Sequence, residues 1–378
     1  MRWVRDDRVA FPRVTQSPAR DVPPDWDDAI EWLDPKRAAM SSRGVMRCAL
    51  AAVLFGISAP LATQLAGDLG AFSLAGLLYV GAAIAVLPLL GRSRPSRSTV
   101  RRAAPRLAVA VVIGGAVGPV LLAAGLSYVS GATASLSLNL ELVFTAIVAA
   151  VVFHEHIGRR VAAGTALVVA AGAVLAWSDN TDLRWGVVLI AGACLCWAVD
   201  NCVTAALDDL APAHITFVKG VVAGGANLLI GVVLDGGPPV GPMLWALIVG
   251  GFGYGVSITL WVAGARELGA ARGQLVFATA PFVGALVAWI VLGDAATGRE
   301  VISLVIAAIG VSFVLGSDHE HAHRHASVEH DHDHVHDDRH HDHDHATAVG
   351  RHQHAHVHRG VVHQHPHVPD VHHRHEHA

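Results

Sequence analysis

The chain carries ten long apolar runs, at roughly residues 46–66, 71–90, 107–126, 130–153, 160–177, 185–206, 213–234, 243–264, 273–293 and 300–316. This is the feature that most restricts its fold. A helix rises 1.5 Å per residue, so about 20 apolar residues cross the roughly 30 Å of hydrocarbon in a bilayer. Backbone polar groups find no water there and must be satisfied within the segment, which favours helices. Ten such runs predict an all-α membrane protein with ten transmembrane helices. Composition agrees: 15% of the 378 residues are charged, against about 25% in soluble domains, and most of that charge falls in short connectors and the two ends. The formal net charge of −4 decides little, because where the charges sit matters more than their sum. Cys48, Cys194, Cys196 and Cys202 all lie inside apolar runs, so they do not form the spaced framework of a disulfide-stapled protein.

The two ends read differently from the middle. Residues 1–44 are polar and contain proline. They lack the apolar core and small-residue cleavage site of a signal peptide, so a disordered cytoplasmic extension is expected. Residues 317–378 hold 23 of the 26 histidines, alternating with Asp, Glu, Ala or Val. Such a segment has no means of building a core and is expected to be a disordered tail. Imidazole suits zinc, nickel, copper and cobalt, and is mostly neutral at pH 7. Divalent metal is therefore expected on His319, His321, His323, His325, His330, His332, His334, His336, His340, His341, His343 and His345, in a fluctuating ligand set. The other reading of the tail is a solvated repeat expansion whose metal affinity is incidental.

Arginine sets the expected orientation. With a cytoplasmic N-terminus, the inner connectors 43–47, 92–106, 159–160 and 266–272 hold twelve arginines, and the outer ones hold Arg184 and Arg299. Positive charge stays inside, so both termini are expected in the cytoplasm of a multi-pass protein of the inner (plasma) membrane. The arginine-rich stretch 92–106 is read as a topology signal beside anionic headgroups, not as a nucleic-acid site.

The chain also repeats. Residues 131–175 resemble 269–315: each begins Gly-Ala, each has a phenylalanine at the same offset (Phe144, Phe282), an acidic residue near the helix end (Glu155, Asp294) and a late glycine (Gly172, Gly310). Five helices is an odd number, so two five-helix repeats, 45–179 and 180–316, must insert with opposite topology. Inverted repeats with a solute site at their interface are a transporter architecture.

Few groups in the runs can carry chemistry. Glu141 lies mid-membrane in the fourth run, where a carboxylate costs about 2.5–3.5 kcal/mol on insertion scales and must face the bundle interior or a wet cavity. Ser137, Glu141 and Thr145 share one helical face, with Asn139 beside it. Glu141 either couples a cation or proton, or only joins helices. Asp200 and Asn201 lie in the sixth run and Lys219 in the seventh. Asp200 and Lys219 are equidistant from the intervening connector, so an antiparallel hairpin puts them at one depth, where a buried ion pair offsets both desolvation costs. A structural role and a gating or substrate role both stand. Cys194, Cys196 and Cys202 near Asp200 offer soft ligands, but their spacing spreads them around the helix. The stretch His154–Gly158 lacks the second histidine of a metalloprotease helix, and Glu155 there reads as a partner for Arg159.

These residues bring a family into view. Ser135–Glu155 (SLSLNLELVFTAIVAAVVFHE), Leu54–Thr63 (LFGISAPLAT), Cys196–Leu207 (CWAVDNCVTAAL) and Lys219–Leu228 (KGVVAGGANL) resemble the drug/metabolite transporter superfamily, EamA type, over residues 45–316. The resemblance implies ten helices and transport of small metabolites, amino acids, sugars, drugs or, in a nickel/cobalt-resistance branch, metal ions. One departure shows. Family members often carry proline after the Asn-Leu-Glu of the fourth helix, where this chain has Val143, while Pro281 is kept in the second repeat. Helix breaking is therefore expected in the second repeat more than in the first. The expected activity is secondary transport, not enzymatic catalysis, through Asn139, Glu141, Asp200, Asn201 and Lys219. No cofactor is required, and no ATP-binding loop is recognisable. The solute is either a divalent metal gathered by the tail or an organic metabolite; a membrane-tethered metal buffer or sensor is a third reading. The partners expected are the bilayer and the solute, with no nucleic acid; oligomeric state is not legible.

Overall fold

The computed structural model describes residues 35–92, 95–153, 159–205, 207, 210–268, 273, 276–315, 320–324, 328–334, 352–358 and 362–366. Among these, eight helices are long and apolar enough to cross a membrane: α1 (Ser42–Leu65), α2 (Ala71–Gly91), α3 (Arg97–Leu126), α4 (Gly131–Val148), α5 (Arg159–Ala176), α6 (Thr181–Thr204), α7 (Pro212–Asp235) and α8 (Val240–Ala265). The apolar helix α9 (Ala280–Ile290) and the 18-residue α10 (Gly298–Leu315) complete the series. The order matches the ten runs of the sequence. The largest difference is α3, which begins at Arg97 inside the arginine-rich connector. Ser96 starts it by accepting a hydrogen bond from Thr99 N at 3.1 Å, which satisfies one of the unpaired amides of the first turn.

Helix packing follows a two-fold exchange of the repeats. α1 packs on α8 and α9, and its counterpart α6 packs on α3 and α4. α2 packs on α7 and α8, as α7 does on α2 and α3. α4 meets α9, and α5 meets α10. Each pairing reappears when the first five helices are exchanged for the last five, so the repeat seen in sequence is a repeat of packing. Small residues allow the crossings. A Cβ on Gly310 would lie 2.9 Å from the Gly164 carbonyl oxygen, and one on Gly76 would lie 2.8 Å from that of Gly224. Lipid provides no hydrophobic drive between helices, so close backbone approach is what holds such a bundle.

The outer surface is apolar, as a lipid-facing surface must be: Val112, Val233, Leu234 and Ile290 are exposed. Trp177, Trp185 and Trp245 are also exposed, near the ends of α5, α6 and α8 that share one membrane face. An aromatic belt at the headgroup level has this form.

Three stretches among the described residues are π-helical: Ala110–Val117 in α3, Lys219–Gly224 in α7 and Gly251–Val256 in α8. Those in α3 and α8 occupy the third helix of each repeat. Helix α4 is interrupted at Leu138–Asn139 between Gly131–Ser137 and Leu140–Phe153. The second repeat turns at Ala278–Thr279, just before α9. Both repeats are broken here, which corrects the expectation of an asymmetric break. The first break needs no proline, because the Asn139 side chain donates to Leu136 O at 3.0 Å and so competes with the backbone ladder.

In the tail, Glu320–Arg324 pairs with Val362–Pro366 and Val328–His334 with His352–His358, each as an antiparallel two-stranded ribbon (β1 with β4, β2 with β3). The sequence expectation was a tail without order. Alternation of residue types has the period of a strand, yet two-stranded ribbons are at best marginally stable in water.

Candidate functional site

Four of the five groups singled out in sequence, Glu141, Asp200, Asn201 and Lys219, come together where the two repeats touch. Asp200 and Asn201 are neighbours on α6, and each binds a different helix. The Lys219 ammonium of α7 donates to Asp200 Oδ2 as an ion pair in which Asp200 is buried and Lys219 partly so. Thr204 Oγ1, one turn along α6, donates to Asp200 Oδ1 at 3.1 Å. Both carboxylate oxygens are thereby satisfied, which a buried charge requires. Asn201 Nδ2 donates to Glu141 Oε1 of α4 at 2.9 Å. That bond joins the fourth helix of the first repeat to the first helix of the second.

Position follows from local structure. Glu141 stands in the first turn of the second half of α4, just past the interruption, where the positive end of the helix dipole favours a carboxylate; its own amide donates to Leu138 O at 3.1 Å across the break. The interruption also ends the continuous face expected for Ser137, Glu141 and Thr145: Ser137 is buried and donates to Thr133 O at 2.7 Å. Asn139 is buried as well, with its amide on Leu136 O. It shapes the helix break, its amide being committed to the backbone of the preceding turn.

A second set of residues, missed in sequence, walls the ion pair. The Gly114 carbonyl oxygen, in the π-helical stretch of α3, accepts from Tyr79 Oη at 2.9 Å and from Trp197 Nε1 at 3.1 Å. A π-helical turn spaces its carbonyls differently from an α-turn, and such turns recur at functional sites. Gly114 leaves the room Asp200 occupies, since a Cβ there would overlap the Asp200 carboxyl group. Asn227 Nδ2 of α7 donates to Ala116 O in the same stretch at 3.2 Å. The legible signals were the Gly114-Gly115 pair inside an apolar run and Tyr79, one of three tyrosines in the chain. The π-helical turns themselves leave no local mark in sequence.

An aromatic row continues away from Tyr79. Ring centroids are 5.9 Å apart for Tyr79–Tyr254, 5.7 Å for Phe55–Tyr254, 5.3 Å for Phe55–Phe277 and 6.0 Å for Trp261–Phe277. The row links α2, α8, α1 and the segment before α9, and it too spans both repeats.

The soft-ligand reading of α6 gains no geometry. Among the described residues no three His, Cys, Asp or Glu side chains come together as a metal-holding group. Cys194 Sγ lies on Ser137 O at 3.9 Å. His154–Gly158, with Glu155, fall outside the described residues, as do the side chains of all twelve tail histidines named above.

Comparison with known proteins agrees with this architecture. The model of the EamA-like transporter family matches twice, over residues 42–177 and 184–316. A curated relative from Methanothermobacter thermautotrophicus, described as an uncharacterized transporter, is 26% identical over 310 residues, covering 74% of this chain and 89% of its own. A protein of known crystal structure superposes with a TM-score of 0.53 at 18% identity, covering 72% of this chain and 96% of its own, which is a likeness of fold.

Proposed function

The chain belongs to the EamA-like transporter family, and from that membership we propose that it moves a small solute by alternating access, with the solute bound beside Glu141, Asn201, Asp200 and Lys219. The observation that carries this reading is the pair of links made by adjacent residues of α6, Asp200 to Lys219 and Asn201 to Glu141. Ionisable groups inside a membrane are costly and mark solute or ion pathways. These four sit on α4, α6 and α7, where the repeats meet, which is where inverted-repeat transporters hold their solute. Asn139 acts through the α4 break that sets the direction of Glu141.

The organic-solute version is favoured over the metal version. Asp200 is neutralised by Lys219, which leaves Glu141 as the unpaired carboxylate of the set. The aromatic row from Tyr79 to Trp261 suits a carbon-bearing solute better than a hydrated ion. Export of nickel, cobalt or zinc rests on the tail histidines, whose part would be to gather metal on the cytoplasmic side; the tethered buffer or sensor reading rests on the same residues. In either version the protein sits in the inner membrane with both termini cytoplasmic, needs no resident cofactor and catalyses no chemical step.

The test is counterflow. Purified protein in liposomes is loaded with a cell metabolite extract supplemented with nickel, cobalt and zinc, and release is read by mass spectrometry. The proposal expects release of at least one solute from the wild type, lost in Glu141→Gln.

A further inference from the structure

Hydrogen bonds between the repeats gather at the membrane face where α4 and α10 begin. Glu300, in the first turn of α10, is 2% exposed. Its Oε1 accepts from Ser130 Oγ at 2.6 Å and from Thr133 Oγ1 at 2.8 Å, both at the start of α4. Its Oε2 accepts from Thr297 N at 3.0 Å and Trp289 Nε1 at 3.4 Å. Beside it, Asp294 Oδ2 accepts from Gly131 N at 2.9 Å, and Arg299 Nη1 donates to Trp177 O at 3.1 Å. A crevice of about 140 Å³ runs along the cluster, lined in part by Tyr128, Leu183 and Arg299.

Glu300 does two jobs with its two oxygens. With Thr297 it forms a capping box, since Glu300 N also donates to Thr297 Oγ1 at 3.3 Å. Capping uses Oε2, which takes its donors, Thr297 N and Trp289 Nε1, from its own repeat. Oε1 is turned to the other repeat and takes both of its donors from there. A buried carboxylate is tolerated only while such donors are in place. If the repeats part at this face, Oε1 loses Ser130 and Thr133 and gains water from the crevice. The group is thus satisfied in two arrangements, one closed on Ser130 and Thr133 and one open to water, while a half-open state leaves it bare. Two discrete arrangements of a contact are what a switching interface needs.

We infer that Glu300 is the latch of the gate at this face: its bonds to Ser130 and Thr133 hold the solute path shut, and opening the path means breaking them. The inference rests on the alternating-access reading, because a latch has meaning only if this face opens.

The test reads opening without any solute. Leu136 lies in α4 one turn beyond Thr133, 2% exposed. Leu136→Cys is introduced into full-length protein in lipid nanodiscs, and its reaction with a water-soluble maleimide is followed by peptide mass spectrometry, the native cysteines serving as internal references. Adding Glu300→Gln, which keeps the side-chain length and the capping group, is expected to raise the Leu136→Cys rate about tenfold, the factor that corresponds to about 1.4 kcal/mol. Thr133→Val removes one donor and is expected to give a smaller rise, and it replaces Glu300→Gln if that variant does not fold. Ser303→Ala removes another bond between the repeats, Ser303 Oγ to Ala171 O at 3.1 Å, one turn further along α10 and not shared with Glu300, and is expected to leave the rate unchanged. Wild-type rates in the Glu300 and Thr133 variants would overturn the latch, as would an equal rise in Ser303→Ala, which would mean general loosening. Faster labelling with no solute moved in counterflow would keep the latch and remove the transport reading.

Discussion

Asn201 of α6 donates its side-chain amide to the Glu141 carboxylate of α4 at 2.9 Å, across the boundary between the two repeats. The next residue back, Asp200, holds Lys219 of α7. One turn of α6 therefore ties together three helices from both repeats, and this is the place where the proposed function puts the solute.

The ion pair predicts a non-additive pattern of stability. Asp200→Asn or Lys219→Met alone leaves one buried charge without its partner, and each is expected to cost about 3–5 kcal/mol. The double variant removes both charges and is expected to unfold at a higher temperature than either single one. Thermal unfolding in detergent, followed by fluorescence of a thiol-reactive or tryptophan probe, measures this. A double variant no more stable than the single ones would show that the two groups do not act as a pair.

Gly114 gives a steric prediction. Gly114→Ala puts a methyl where the Asp200 carboxyl lies, so either the ion pair or the π-helical stretch must shift. Over-packing of this kind costs about 1–3 kcal/mol. The expected result is a lower unfolding temperature in Gly114→Ala and a small one in Gly225→Ala, where a Cβ meets open space. Equal effects would mean that Gly114 is not needed for the site.

Much of this architecture could be read from the residues, and the limit was physical. Ten runs, an inverted repeat and the Asp200–Lys219 hairpin pairing follow from length, periodicity and distance along the chain, all of which are local. Glu141 stood out because a carboxylate inside hydrocarbon is conspicuous. The walls of the site did not, because Tyr79, Gly114 and Trp197 are ordinary apolar-run residues until three helices bring them together. The α4 interruption at Leu138–Asn139 was hidden by the absence of proline, although an asparagine able to bond its own backbone was in view. Glu300 could have been noticed: Thr297 three residues ahead of it spells a capping box, but nothing local shows that its second oxygen reaches Ser130 and Thr133.

Orientation predicts the outcome of reporter fusions. The arginine asymmetry expects reporters placed after Gly91 and after Ser317 to read cytoplasmic. A reading outside at either position would invalidate the assignment of the tail to the cytoplasm, and with it any role in gathering metal for export.

The tail and the membrane site are expected to be separable. Truncation after Ser317 is expected to leave maximal transport intact. If metal is the solute, it reduces export mainly at low metal, because tethered sites act by raising local concentration. Dye-loaded everted vesicles read this as a shift in half-saturation with no change in maximal rate; loss of all transport on truncation would place the essential site in the tail.

The central claim is that solute passes the Glu141–Asn201 link at the repeat boundary. Counterflow from liposomes holding wild-type protein or Glu141→Gln, with equal amounts of folded protein confirmed by size exclusion, tests it most directly. The solute released by the wild type is expected to be retained by Glu141→Gln at every concentration. Release at the wild-type rate from Glu141→Gln would contradict it.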